Sequence, residues 1–178
     1  MTMFVRVDQA EQRICALANS ACRQRTVRSV FRGLSRLGDG VFWYVLIASM
    51  PFFIGLDRLE RGLAVSAQML TAGAFGLVFY KILKKKLVRE RPFIGLIGVE
   101  CAMPPLDRYS FPSGHTLHAV LFTAIAIHHV PALAIVLVPF ALLVAASRVV
   151  LGLHYPSDVL AGAALGALIA AVSQALLW

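Results

Sequence analysis

Residues 116–147 read TLHAVLFTAIAIHHVPALAIVLVPFALLVAAS and contain no Asp, Glu, Lys or Arg. A chain in water does not run this far without formal charge, whereas the hydrocarbon core of a bilayer requires it. The polar residues that interrupt the run most visibly are His118 and the pair His128–His129, and the pair stands just ahead of Pro131. The stretch therefore reads as two antiparallel membrane helices joined at the His128–Pro131 break. Each is short for a span, which implies tilt or local thinning of the bilayer.

Moving towards the N-terminus, residues 92–112 hold Pro92, Pro104, Pro105 and Pro112 and read as a long irregular segment. Before it, an apolar run from about Ala64 to Leu83 ends in Lys81, Lys84, Lys85, Lys86, Arg89 and Arg91. Asp57 to Arg61 is a short charged turn, preceded by a span from Val41 to Leu56. Trp43 and Tyr44 in that span read as interfacial anchors, and Pro51 as a kink. Towards the C-terminus, residues 149–156 form a second loop, and Ser157 is the expected N-cap of a last helix running to Trp178. Gly162 and Gly166 make a G-x-x-x-G pair in it, which favours close helix packing.

Residues 8–37 differ in character. Ile14, Leu17, Val27, Val30, Phe31, Leu34 and Leu37 recur at helical spacing among Arg13, Arg23, Arg25, Arg28, Arg32 and Arg36. One or two amphipathic helices lying in the membrane interface fit that pattern, ended by Gly38-Asp39-Gly40. The expected fold is an all-α membrane protein of five transmembrane helices, or six if part of 8–37 also crosses. It has a basic amphipathic N-terminal segment, 1–40, and a transmembrane domain, 41–178.

Composition agrees, with 59 % hydrophobic residues and a mean hydropathy of +0.77. The formal charge of +8 lies beside apolar runs, so the expected partners are the bilayer and phosphorylated lipids rather than nucleic acid. Cys15, Cys22 and Cys101 lack metal-ligand spacing and read as free thiols. Acidic Asp8 and Glu11 and several arginines precede any apolar core, unlike a secretory signal.

Threading the chain through these spans brings residues 84–115 and 147–158 to one side. Phosphoryl transfer spreads charge over three equatorial oxygens, so fixed cations are its main need. Arg91 and Arg148 each present a planar fork, and Lys84 a point charge. Ser113 has a hydroxyl to donate, and the amides near Gly114 open a helix where an anion is favoured. His115 and His154 have the chemistry to divide attack and proton donation, and Asp158, four residues after His154, to orient its ring. His118, one turn past His115, reads as a packing residue. Asp39 reads as a helix cap rather than an active-site group, and Lys81, Lys85 and Lys86 as lipid contacts.

Lys84 with Arg91-Pro92, Pro112-Ser113-Gly114-His115, and Ser147-Arg148 with His154 and Asp158 resemble the three motifs of the type 2 phosphatidic acid phosphatase (PAP2) superfamily: K-x6-R-P, P-S-G-H and S-R-x5-H-x3-D. Order and spacing match throughout. Any one motif is weak, but the three together at membrane boundaries are specific. The motifs span residues 84–158, the helical layout extends the resemblance to most of the chain after residue 38, and together they imply a PAP2-like transmembrane phosphatase. In that scheme His154 is the nucleophile of a phosphohistidine intermediate, and His115 the general acid and then the base for water. Asp158 orients His154, while Lys84, Arg91, Ser113, Gly114 and Arg148 bind phosphate. Neither metal nor other cofactor is implied.

A transporter or channel subunit would call for an inverted repeat or a mid-span charge, and neither is visible. A lipid phosphotransferase uses the same motifs, as does a vanadate-dependent haloperoxidase, against which the spans argue. The substrate class is a lipid phosphate or diphosphate of undecaprenyl, phosphatidate, phosphatidylglycerol phosphate or lipid A type. Residues 1–40 placed on the active-site side leave only Arg58 and Arg61 of 17 Lys+Arg opposite, so charge bias points that side to the cytoplasm. The resemblance implies instead a bacterial inner-membrane enzyme facing the periplasm.

Overall fold

The glycines and prolines of the sequence set most of the helix boundaries in the computed structural model, which describes residues 2–177. α1 (Thr2–Ser20) and α2 (Arg25–Leu37) precede α3 (Val41–Ile54) and the long α4 (Leu59–Lys86). One short turn of helix, α5 (Pro92–Gly95), is set in the irregular 87–113 segment. α6 (Gly114–His129), α7 (Ala134–Val150) and α8 (Pro156–Leu177) complete the chain, and no strand occurs among the described residues.

Among the described residues, three stretches are long and apolar enough to cross a bilayer: Leu56–Lys86, Pro131–Val150 and Pro156–Leu176. A fourth results if α2 and α3, which meet at 48° across Gly38-Asp39-Gly40, are one broken span. Five or six such spans were expected. α3 and α6 alone have 14 and 16 residues, below the roughly 20 that a hydrocarbon core demands. Outward faces are apolar: Phe52, Phe53, Phe75, Val136, Leu142, Leu160 and Leu168 are all exposed. A surface of that kind is suited to lipid, since water would penalise it.

α6 lies at the centre. Leu117, Leu121 and Ile125 on it are fully buried between α4, α7 and α8. Gly162 and Gly166 bring α8 onto it, as the G-x-x-x-G spacing leads one to expect. A Cβ on either would lie 2.4 Å from the Ser113 carbonyl oxygen or 2.3 Å from that of Leu117. Trp43 is not an interfacial anchor: it is buried in the core against Phe42, Phe122 and Phe140, and its Nε1 donates to the Gly38 carbonyl. Tyr44, its neighbour, does face outward.

The N-terminal helices pack on the polar end of the bundle. Asn19 accepts from the Glu100 amide and donates to the carbonyls of Glu100 and Val150. Arg28 pairs with Glu100, and Arg32 donates to the Ala102 carbonyl.

Candidate active site

The S-R-x5-H spacing has a backbone cause. Past α7, the amides of Leu153 and His154 both donate to the Arg148 carbonyl, at 3.0 and 3.1 Å. The chain thus doubles back and hangs His154 beside Arg148. Gly152 permits the turn with φ of +74°, and a Cβ there would meet the Glu100 carbonyl oxygen at 2.6 Å.

α8 begins at Pro156, one residue ahead of the expected cap Ser157. Asp158 in its first turn reaches back, and its Oδ2 accepts from the Tyr155 amide at 2.8 Å, half of a capping box. The same carboxylate stands 3.6 Å from His154 Nδ1, an ion-pair distance rather than a hydrogen bond.

Ser113 caps α6, its Oγ accepting from the Thr116 amide, and its own amide donates to the Asp158 carbonyl at 3.0 Å. The second and third motifs are therefore joined backbone to backbone. Gly114 is required by Tyr80, whose ring would come within 2.9 Å of a Cβ. Lys84 lies in the last turn of α4, and Arg91 precedes Pro92, the first residue of α5.

These elements converge on a cavity of about 20 Å³, lined in part by Lys84, Arg91, Gly114, His115, Arg148 and His154. Six of the eight residues expected from sequence thus share one wall. Asp158 and Ser113 stand behind it, fully buried, and the Ser113 hydroxyl is engaged with Thr116. Burial, reinforced by Arg148, Arg91, Lys84 and His115, holds the His154 imidazole well below the usual histidine pKa, so the ring is neutral.

Several charged groups here were not expected. Asp107 stands among the cations: Lys84 Nζ donates to its Oδ1 at 2.7 Å and its Oδ2 at 2.9 Å, and Arg91 Nη2 to Oδ1 at 2.7 Å. Burial alone would raise its pKa, but Lys84 and Arg91 override that and hold it below the ordinary carboxylate value. Asp39 is not a helix cap. It pairs with Nε2 of His115, while Gly40 precedes α3 without a side-chain cap. Arg89 bridges Asp158 (2.7 Å) and Glu11 of α1 (2.8 Å) and lies over the Tyr155 ring. Ser35 of α2 accepts from Arg148, whose buried Nε has no partner. Charge balance around Lys84 and Arg91 signals a carboxylate in the sequence, but Glu90, Glu100 and Asp107 all qualify there.

A wider cavity of about 410 Å³ adjoins the first and shares Tyr80, Leu106, Gly114 and His115 with it. Its walls between α3, α4 and α6 include Trp43, Ile47, Leu70, Leu77 and Phe122. His118 lines it too, contacting the carbonyls of Gly73 on α4 and Gly114 on α6, so it ties the two helices as well as packing.

The family model of the PAP2 superfamily matches residues 65–178, which hold every motif residue named above. The chain belongs to the PAP2 superfamily. Its relatives include the decaprenylphosphoryl-5-phosphoribose phosphatase of Mycobacterium tuberculosis, 36 % identical over 96 % of this chain and 92 % of that protein. Two solved structures share the fold. The transmembrane PAP2-type phosphatidylglycerolphosphate phosphatase of Bacillus subtilis superposes with a TM-score of 0.74 at 28 % identity, covering 96 % of this chain and 85 % of that one. Aquifex aeolicus LpxE gives 0.75 at 27 % identity, with 92 % and 93 % covered. This PAP2 protein is thus an integral membrane phosphatase, and the matches to whole relatives extend the likeness into the N-terminal helices that the motifs leave out.

Proposed function

We propose that this PAP2 phosphatase hydrolyses the terminal phosphate of a lipid phosphomonoester or diphosphate through a phosphohistidine on His154. The observation that carries this reading is a fully buried imidazole that lines one small cavity together with Arg91, Arg148 and Lys84, its pKa held down by burial and by those cations. Neutrality preserves the lone pair needed for attack, while three fixed cations match the charge on the transferring group. Arg148 Nε, buried and unpartnered, is a donor in want of an acceptor, as a phosphate oxygen would be.

Nε2 of His154 attacks phosphorus, and the bond to the leaving oxygen breaks as that oxygen takes a proton from His115. Water then attacks that phosphorus, giving a proton to the same His115 as the bond to Nε2 breaks and its electron pair returns to the ring, and inorganic phosphate leaves. Asp158 orients His154, and Asp39 holds His115 in place. The amides at the start of α6, beside Gly114, complete the anion site; Ser113 contributes by capping that helix.

The apolar groove leading to His115, walled by α3, α4 and α6, suits the chain of a lipid substrate. The relatives' substrates, a decaprenylphosphoryl sugar phosphate and phosphatidylglycerolphosphate, present the same reacting group on different tails. We propose a bacterial inner membrane with the site outward, as the motif resemblance implies. Purified protein supplied with polyprenyl, phosphatidate, phosphatidylglycerolphosphate and lipid A phosphates should release phosphate from at least one of them. His154→Ala and His115→Ala should each lose several orders of magnitude, and near-wild-type release by either would sink the mechanism.

A further inference from the structure

The phosphate cradle already holds an anion, and it belongs to the chain. Asp107 contributes both carboxylate oxygens to Lys84, at 2.7 and 2.9 Å, and shares Oδ1 with Arg91 at 2.7 Å. Its backbone carbonyl accepts from Arg91 Nε at 3.1 Å as well. The side chain lines the inner cavity together with His115, Arg148 and His154. The segment that carries it is anchored, since the Ser110 amide donates to the Arg89 carbonyl at 2.8 Å and its hydroxyl to those of Arg89 and Glu90. The carboxyl head is the exposed part: 37 % of the side chain is accessible, against 7 % for Lys84 and 2 % for Arg91.

A phosphate that comes to lie on Lys84 and Arg91 must take the place of that carboxylate. The exchange is judged by charge. A phosphomonoester or the terminal phosphate of a diphosphate carries about −1.5 to −2 near neutral pH, and so gains over the single charge it replaces. A phosphodiester carries a single charge with two oxygens to share it. It would break the charge-assisted bonds of Asp107 and form no stronger ones in return. Bulk phospholipids are phosphodiesters, they surround the enzyme, and their tails fit the same groove.

We infer that Asp107 is a specificity-determining residue: it occupies the phosphate cradle so that only a doubly charged phosphate displaces it, which keeps membrane phosphodiesters out. The inference rests on the reading of Lys84, Arg91 and Arg148 as a phosphate site. It adds a competitor, supplied by the protein, that no motif residue provides. Asp107 takes no part in bond making. Its effect is on which anion binds, and so on KM rather than on the chemical step.

The test uses the full chain purified in detergent and two small probes, methylphosphonate and dimethyl phosphate, in a buffer alkaline enough to make the first mainly a dianion while the second stays a monoanion. Thermal stabilisation reads the binding of each. Wild type should respond to methylphosphonate and not to dimethyl phosphate at equal concentration. Asp107→Asn should respond to both, and its half-maximal methylphosphonate concentration should fall by roughly tenfold, the scale of one charge-assisted hydrogen bond. Asp107→Glu should restore exclusion, and Asp107→Ser serves as a second neutral variant if the amide disturbs folding. With lipid substrate in mixed micelles, added phosphatidylglycerol should inhibit Asp107→Asn and leave wild type unaffected. Wild type that binds both probes equally, or neutral variants that bind methylphosphonate but gain no response to dimethyl phosphate, would overturn the inference. Failure of every form to bind methylphosphonate would instead remove the phosphate-site reading beneath it.

Discussion

Arg91 Nη1 stands 3.3 Å from Nε2 of His154 while it donates to the Leu153 carbonyl at 2.8 Å. A guanidinium has only donors, so the ring nitrogen facing it carries the lone pair and the ring proton lies on Nδ1. Nδ1 has no hydrogen-bond partner, and Asp158 Oδ2 at 3.6 Å is the acceptor on that side. The cation that would bind the phosphate thus also selects the tautomer that would attack it.

That coupling makes Asp158→Asn informative. An amide has both donor and acceptor atoms and no charge, so it neither fixes the tautomer nor stabilises a cationic ring. We expect kcat to fall by about 10² to 10⁴ with KM little changed, as when the orienting carboxylate of a triad is neutralised. Steady-state kinetics of phosphate release checks this, and an unchanged kcat would remove Asp158 from the mechanism.

Asp39 should behave as a positioning residue through His115. Its substitution by Asn weakens the hold on the imidazole while leaving the cations of the cradle untouched. Release from a substrate with a poor leaving group should drop by about 10²-fold, the lower range for general acid catalysis. A lipid-like aryl phosphate, whose leaving oxygen needs no proton, should be much less affected. Equal losses on both substrates would assign Asp39 a purely structural role.

Gly162→Val tests the seam between α6 and α8. The added Cβ would sit 2.4 Å from the Ser113 carbonyl oxygen, a backbone atom that cannot rotate away. Separating the helices also strains the bond between the Ser113 amide and the Asp158 carbonyl. We expect destabilisation of roughly 1–3 kcal/mol or more, together with lost activity, measured by thermal melting in detergent. A full-activity variant with an unchanged melt would show that α8 has room to retreat.

Glu11 carries the N-terminal helix into the site. One of its oxygens pairs with Arg89 at 2.8 Å and the other accepts from the Ser157 amide at 2.6 Å. Burial of Arg89 opposes its charge, but Glu11 and Asp158 outweigh this and raise its pKa. Glu11→Ala leaves that guanidinium with Asp158 as its remaining carboxylate. A loss of about 2 kcal/mol, lowering Tm by roughly 4–8 °C, is the expected result. Unchanged stability would mean that α1 is not anchored through this residue.

Acid should weaken the fold through His154. Its pKa is depressed by burial and by Arg148, Arg91 and Lys84, whereas the unfolded chain protonates it near 6.5. Above that value neither state holds the proton and the full stability is present. As pH falls below it, the unfolded state gains a proton that the folded state refuses, and stability declines. Melting temperature should therefore fall from about pH 6.5 downward, and His154→Gln should show a shallower decline over the same interval. An identical slope in the variant would place the acid sensitivity elsewhere.

The sequence by itself determined the helical membrane class, because an uncharged run such as 116–147 has few other stable solutions. It also marked six of the residues that line the inner cavity, the histidine and arginine of the third motif among them because that spacing is a consequence of short-range geometry. Arg148 and His154 are joined by backbone bonds across six positions, and His154 and Asp158 by the start of one helix. Helix ends came within a few residues for the same local reasons.

Tertiary structure alone decided the rest. That Trp43 packs inside rather than anchoring outside depends on what α6 and α7 present to it. Asp39 reaches His115, 76 positions away, and Glu11 reaches Arg89, 78 positions away, so no local pattern reveals either pair. Asp107 was one of several carboxylates near the cations, and only the path of the 106–110 loop places it in the cradle. Local spacing specifies the groups a phosphate would meet, whereas the counterions and positioning contacts arise from distant segments that only packing brings together.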